Sequence, residues 1–129
     1  LSFTTFGESG GITLENGAEF SIIKQSWMQG RWTLAQGGMV CAEAEKPSAF
    51  FRSFEVRTDA VSFTVQAASA FSRIFQIVVE GVVVGVIRPA HVFTRRAFVE
   101  CDSAMPEVAQ LFAFWLAAIS WRRSRRNKH

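Results

Sequence analysis

The sequence predicts a mainly β fold with one C-terminal α-helix: a closed antiparallel β-barrel of about ten strands around a central hydrophobic helix. Three observations carry that prediction. Residues 2–101 repeat short runs of period-two alternation between turn signals. Residues 106–121, PEVAQLFAFWLAAISW, are apolar on nearly every side. Thirteen Phe and four Trp, with no Tyr, need a dry interior. Ten strands must hide their edges, and closure does so completely. A barrel of that size has a lumen wider than its own side chains fill, and an apolar helix would plug it.

The elements follow in order. Ser2–Phe6 is a candidate strand, ended by the glycine-rich Gly7–Gly11. Ile12–Leu14 is short and leads into Glu15-Asn16-Gly17, where Asn-Gly is a strong hairpin signal. Glu19–Ser26 precedes a turn near Gly30. Arg31–Ala35 and Met39–Glu43 flank Gln36-Gly37-Gly38, and Lys46-Pro47-Ser48 breaks the chain. In Phe50–Arg57, Phe50, Arg52, Phe54 and Val56 face one way and Phe51, Ser53, Glu55 and Arg57 the other; in Ala60–Ala67, Val61, Phe63 and Val65 alternate with Ser62, Thr64 and Gln66. Phe71–Val79 and Val82–Arg88 pair across Glu80-Gly81, Pro89 stops that hairpin, and Phe93–Cys101 is the last strand. There is no βαβ alternation and no linker, so residues 1–129 read as a single domain.

The helix is expected over residues 106–121, followed by a basic tail at 122–129. Pro106 suits the first turn and Glu107 the positive end of the dipole; Asp102 or Ser103 is placed to cap it. Ala109, Ala113 and Ala117 lie on one side, allowing close approach to a wall. Phe112, Trp115, Leu116 and Ile119 fill volume on the rest. The competing reading is a membrane protein anchored by helix 106–121. Small residues four apart and a basic flank favour it. Length opposes it: the segment spans about 24 Å, whereas a bilayer core of about 30 Å needs around 20 apolar residues.

Arg73-Ile74-Phe75-Gln76-Ile77 runs through Glu80-Gly81 to Val84-Gly85-Val86-Ile87. Phe93 to Val99 and the apolar helix follow. This order of elements, over residues 50–121, resembles the tubby C-terminal-like superfamily, which includes the tubby proteins, the LURP-one-related proteins and the phospholipid scramblases. The resemblance implies a β-barrel wrapped around a central hydrophobic C-terminal helix. Nothing in the chain matches the residues with which tubby proteins hold phosphoinositides, so it transfers no functional residue.

Charge supplies the functional expectation. Of fourteen basic residues, five lie in the last eight positions: Arg122, Arg123, Arg125, Arg126 and Lys128. The rest of the chain, nine basic against eleven acidic, is slightly negative, so the body is not a polycation built to coat nucleic acid. The run carries no interleaved aromatics for stacking, so no specific nucleic-acid partner is expected. The plain reading of the run is a solvated, fraying tail that aids solubility; the sharper one is attraction to anionic phospholipid, worth about 1 kcal/mol per basic residue near such a surface. Arg88, Arg95 and Arg96 are candidates to join the same patch. Residues 1–30 show no signal peptide, and two distant cysteines, Cys41 and Cys101, make no framework. The expected location is cytoplasmic, peripheral at a membrane.

No enzymatic reaction, cofactor or metal site is legible. Gly7-Glu8-Ser9-Gly10-Gly11 fits G-x-S-x-G but lacks the helix a nucleophile elbow requires. His91 has no nearby Cys or acidic cluster. Glu43 and Glu45 share a strand face, and a solvated strand end is the simpler reading. Glu80-Gly81-Val82-Val83-Val84-Gly85 lacks the Lys-Ser/Thr of a phosphate loop.

Overall fold

The structure is a computed structural model that describes residues 2–6, 8–26, 30–47, 52–69, 72–89, 97–101 and 105–126. Ten strands precede one helix: β1 (Ser2–Phe6), β2 (Ser9–Thr13), β3 (Glu19–Ser26), β4 (Gly30–Gln36), β5 (Met39–Lys46), β6 (Ser53–Thr58), β7 (Ser62–Ala67), β8 (Phe75–Val79), β9 (Val82–Pro89), β10 (Ala97–Cys101) and α1 (Glu107–Arg126). They form one sheet in chain order, each strand antiparallel to the next.

The expected alternation is observed. Phe54 and Val56 of β6, Phe63 and Val65 of β7, and Phe75 and Ile77 of β8 are buried. Their neighbours Glu55, Arg57 and Ser62 are exposed. The buried set continues through Ile12, Ile22, Trp32, Leu34, Ala42 and Ala44 on one flank and Ile87 on the other. All of them join one cluster with Ala109, Phe112, Ala113, Trp115, Leu116, Ala117 and Ile119 of α1. The sheet therefore curls around the helix, and each large helix side chain buried there contributes about 1.5–3 kcal/mol. Bulges at Ser26, at Leu34/Ala35 and at Ile77/Val78 add local twist that helps the sheet to curl.

Closure, which the sequence predicts, is not part of this arrangement. β1 pairs with β2 and β10 with β9, each through all five residues, and among the described residues no ladder joins β1 to β10. All-round burial of the helix is also only partly realised. Val108, Leu111, Phe114, Ala118 and Trp121, three or four residues apart, form a half-buried stripe. Phe3 of the edge strand β1 packs edge-on against Phe114 at 5.4 Å and stacks on Trp115 at 6.2 Å. Trp121 meets both Phe114 and Phe75, each at 6.3 Å. A chain of rings thus runs from β1 over the helix to β8.

Several boundaries differ from the expected ones. The glycine-rich segment is not a turn up to Gly11: β2 starts at Ser9. Gly10 is required there, because a Cβ would collide with the Thr4 carbonyl oxygen and with Cη2 of Trp115. β9 does stop at Pro89, but the proline is itself the last residue of the strand and pairs with Ala97. Glu80 (φ +49°) and Gly81 (φ +79°) both adopt the left-handed conformation of a two-residue hairpin turn. Phe50, Phe71, Phe93–Arg96, Asp102 and Ser103 lie outside the described residues.

The largest shift is at the C-terminus. The tail expected from residue 122 is helical as far as Arg126. Cations favour the negative end of the helix dipole, and Arg123 is tied down by a tertiary contact. No helix among the described residues, α1 with its 20 residues included, is long and apolar enough to cross a membrane. The apolar residues of the segment are used against the sheet.

Candidate functional site

Successive antiparallel strands send alternate connections to opposite ends of the sheet. The β1–β2, β3–β4, β5–β6, β7–β8 and β9–β10 connections share one end. The helix emerges there: Trp121 Nε1 donates to the Arg73 carbonyl in the β7–β8 connection at 2.8 Å. Lys24, Lys46, Arg52, Arg73 and Arg88 flank connections at this same end. Topology therefore gathers basic residues from five parts of the chain around Arg122 and Arg123.

The best-defined geometry at this end centres on Glu8, in the β1–β2 turn. Arg123 donates from both Nε and Nη2 to its carboxylate, 2.6 Å each. Lys24 Nζ donates to the same group at 2.8 Å. The Glu8 carbonyl accepts from Trp32 Nε1 at 3.2 Å. Lys24 Nζ and the Arg123 guanidinium lie 5.8 and 5.5 Å from the centre of the buried Trp32 ring, within cation–π range. Burial pushes the Glu8 carboxyl up, but hydrogen bonds and charge from Arg123 and Lys24 outweigh it and hold its pKa down at about 2. Lys46 is shifted down from the usual lysine range, first by desolvation and then by the nearby Arg123 charge.

The sequence-predicted site residues thus divide. Arg123 is an internal clamp, paired through an acceptor that is only 14% exposed. Arg122 lies half-buried one residue earlier. Arg125 and Arg126 occupy the last helical turn. Lys128, Arg95 and Arg96 lie outside the described residues, as does His91. Arg88 is exposed at the basic end. Sequence reading missed the partners of Arg123. Glu8 sits inside a glycine-rich motif, Lys24 and Trp32 lie on strands, and no local spacing links any of them to residue 123.

The other candidates have structural uses. Ser9 Oγ accepts from the Lys24 amide at 3.0 Å, tying β2 to β3. Glu43 and Glu45 face Arg57 and Arg31 on neighbouring strands, each pair at 3.6 Å. They line a groove of about 440 Å³ on the outer face of β4–β8, with Glu55 and Thr64 also contributing. Cys41 is a half-buried free thiol. Among the described residues no group of His, Cys, Asp or Glu is arranged to hold a metal ion. No family model matches the chain, and no curated protein or solved structure is detectably similar to it.

Proposed function

We propose that this protein is a non-enzymatic binding module of tubby-like type that docks on anionic lipid surfaces with the end from which α1 emerges. The observation that supports this reading is the convergence of basic residues there: the last turn of α1 with Arg122, Arg125 and Arg126, and, around it, Arg73, Arg88 and Lys46. Each basic residue held near an anionic surface adds about 1 kcal/mol. Arg123 belongs to the scaffold in this reading, because its guanidinium is held by Glu8.

The accompanying fold proposal is a barrel in which β1 and β10 close around the helix, as the tubby-like resemblance implies. Burial of helix residues against β2 to β9 supports it. Hydrogen exchange tests it directly. In an open sheet, alternate β1 amides point away from β2 and exchange fast; in a closed barrel all are protected. Fast exchange at every second β1 position would refute closure.

Vesicle co-sedimentation tests the function. The protein is expected to sediment with phosphatidylserine-containing vesicles and not with neutral phosphatidylcholine vesicles, with loss of binding at high salt. Arg125→Glu with Arg126→Glu should abolish that binding while leaving the fold intact. Equal binding to both vesicle types, or binding unaffected by the double reversal, overturns the reading.

A further inference from the structure

The end opposite the basic one has a different character. There lie the β2–β3, β4–β5, β6–β7 and β8–β9 turns and the start of α1. They present Glu15, Asp59, Glu80 and Glu107, all exposed; among the described residues these turns hold no Lys or Arg, and Arg57, which flanks the β6–β7 turn, is paired with Glu43. Two hairpins at this end also carry large apolar side chains in water: Met39 (74% exposed) with Val40, and Val82 (62% exposed) with Val83. Each pair follows a glycine turn, and a bulge lies just behind it in the ladder. Neither pair has a core to fill, and adjacent exposed apolar residues at a hairpin tip mark a contact surface.

Charge identifies what fits that surface. The molecule is polarised along its helix axis, acidic at one end and basic at the other. The basic end has its own apolar centre, with Ile74 exposed and Trp121 half-buried beside Arg73. Each end is therefore apolar with charges around it, and the two are of opposite sign. We propose that the acidic, apolar-tipped end docks on the basic end of a second copy of this chain, head to tail. Such a contact is heterologous, so it propagates into a ring or a filament and does not stop at a two-fold dimer. The complementary charges set the orientation and hasten encounter; the hairpin tips supply the desolvated area. This inference does not rest on lipid binding, and its test contains no lipid.

The test is sedimentation velocity on the whole chain across a range of protein concentration. The wild type should form species heavier than the monomer at low salt and revert to monomer near about 1 M salt, where the screening length is about 3 Å. Glu15→Lys with Glu80→Lys makes both ends basic; Arg73→Glu with Arg88→Glu makes both ends acidic. Each double variant alone should be monomeric, and an equal mixture of the two should regain the heavier species. That regain also shows that both variants are folded. Met39→Ser with Val82→Ser should weaken association by about tenfold or more, through loss of buried apolar area. A wild type that is monomeric at every salt concentration overturns the proposal. So does a mixture no heavier than its components, or association that both double variants retain.

Discussion

Arg123 on the last turns of the helix and Glu8 in the first hairpin, 115 residues apart in sequence, form a two-point ion pair with both contacts at 2.6 Å. Lys24 completes the neutralisation of Glu8, and Trp32 lies within cation–π range of both cations. The cluster fastens the C-terminal end of α1 to β1, β2, β3 and β4. It also explains why the helix does not end at Trp121, where the apolar residues stop.

Replacing Glu8 by Gln should destabilise the fold by about 1–3 kcal/mol, because three charge-assisted bonds weaken and Arg123 and Lys24 are left partly buried beside a neutral group. Urea denaturation near neutral pH measures it. Arg123→Ala should cost a similar amount, and the double variant less than the sum of the two.

The same pair predicts acid sensitivity. Folding lowers the Glu8 pKa from 4.5 to about 2. The stabilisation is fully present above the unfolded value and is lost as pH falls from about 4.5 through about 2. A titration of stability should show this loss in the wild type. In Glu8→Gln the slope over that window should be shallower.

Leu116 is fully buried between helix and sheet. Leu116→Ala should cost about 2–5 kcal/mol by leaving a cavity. Leu116→Asp should prevent folding, because an unpaired charge would be buried against the wall. Near-ultraviolet circular dichroism reads both. A folded Leu116→Asp protein would contradict the central position of the helix.

Gly10→Ala should destabilise the β1–β2 hairpin and its contact with the helix. The new methyl meets the Thr4 carbonyl, which is backbone and cannot swing aside, and the Trp115 ring. Overpacking of this kind costs about 1–3 kcal/mol. The emission of the protein's tryptophans, among them Trp115, should change with it.

Glu80 holds a positive φ that a glutamate adopts at a cost. Glu80→Asn would place Asn-Gly in that turn and should raise stability by about 0.5–1 kcal/mol. Thermal denaturation checks the sign.

Most of the strand pattern was legible because burial here follows local alternation. Phe54, Val56, Phe63 and Val65 face inward as their spacing requires. The helix core was legible for the same reason: Phe112, Leu116 and Ile119 recur at helical spacing and are buried. Gly10 was misread because glycine marks turns, and only a neighbouring indole shows that this one makes room inside a strand. The site was legible as a basic run, but not its division of labour. Nothing local distinguishes Arg123 from Arg122, Arg125 or Arg126. The difference is a carboxylate in the first hairpin.

Local sequence specifies the elements: strands of alternating character, hairpin turns at Asn16-Gly17, Gly37-Gly38 and Glu80-Gly81, and one apolar helix after them. These follow from side-chain periodicity and backbone sterics, which act over a few residues. Tertiary contacts set the rest: the half-buried stripe along α1, the capture of Arg123 by Glu8, and the opposite charge of the two ends. Those depend on which turns share an end and which side chains meet there, and chain-distant contacts leave no local spacing to read.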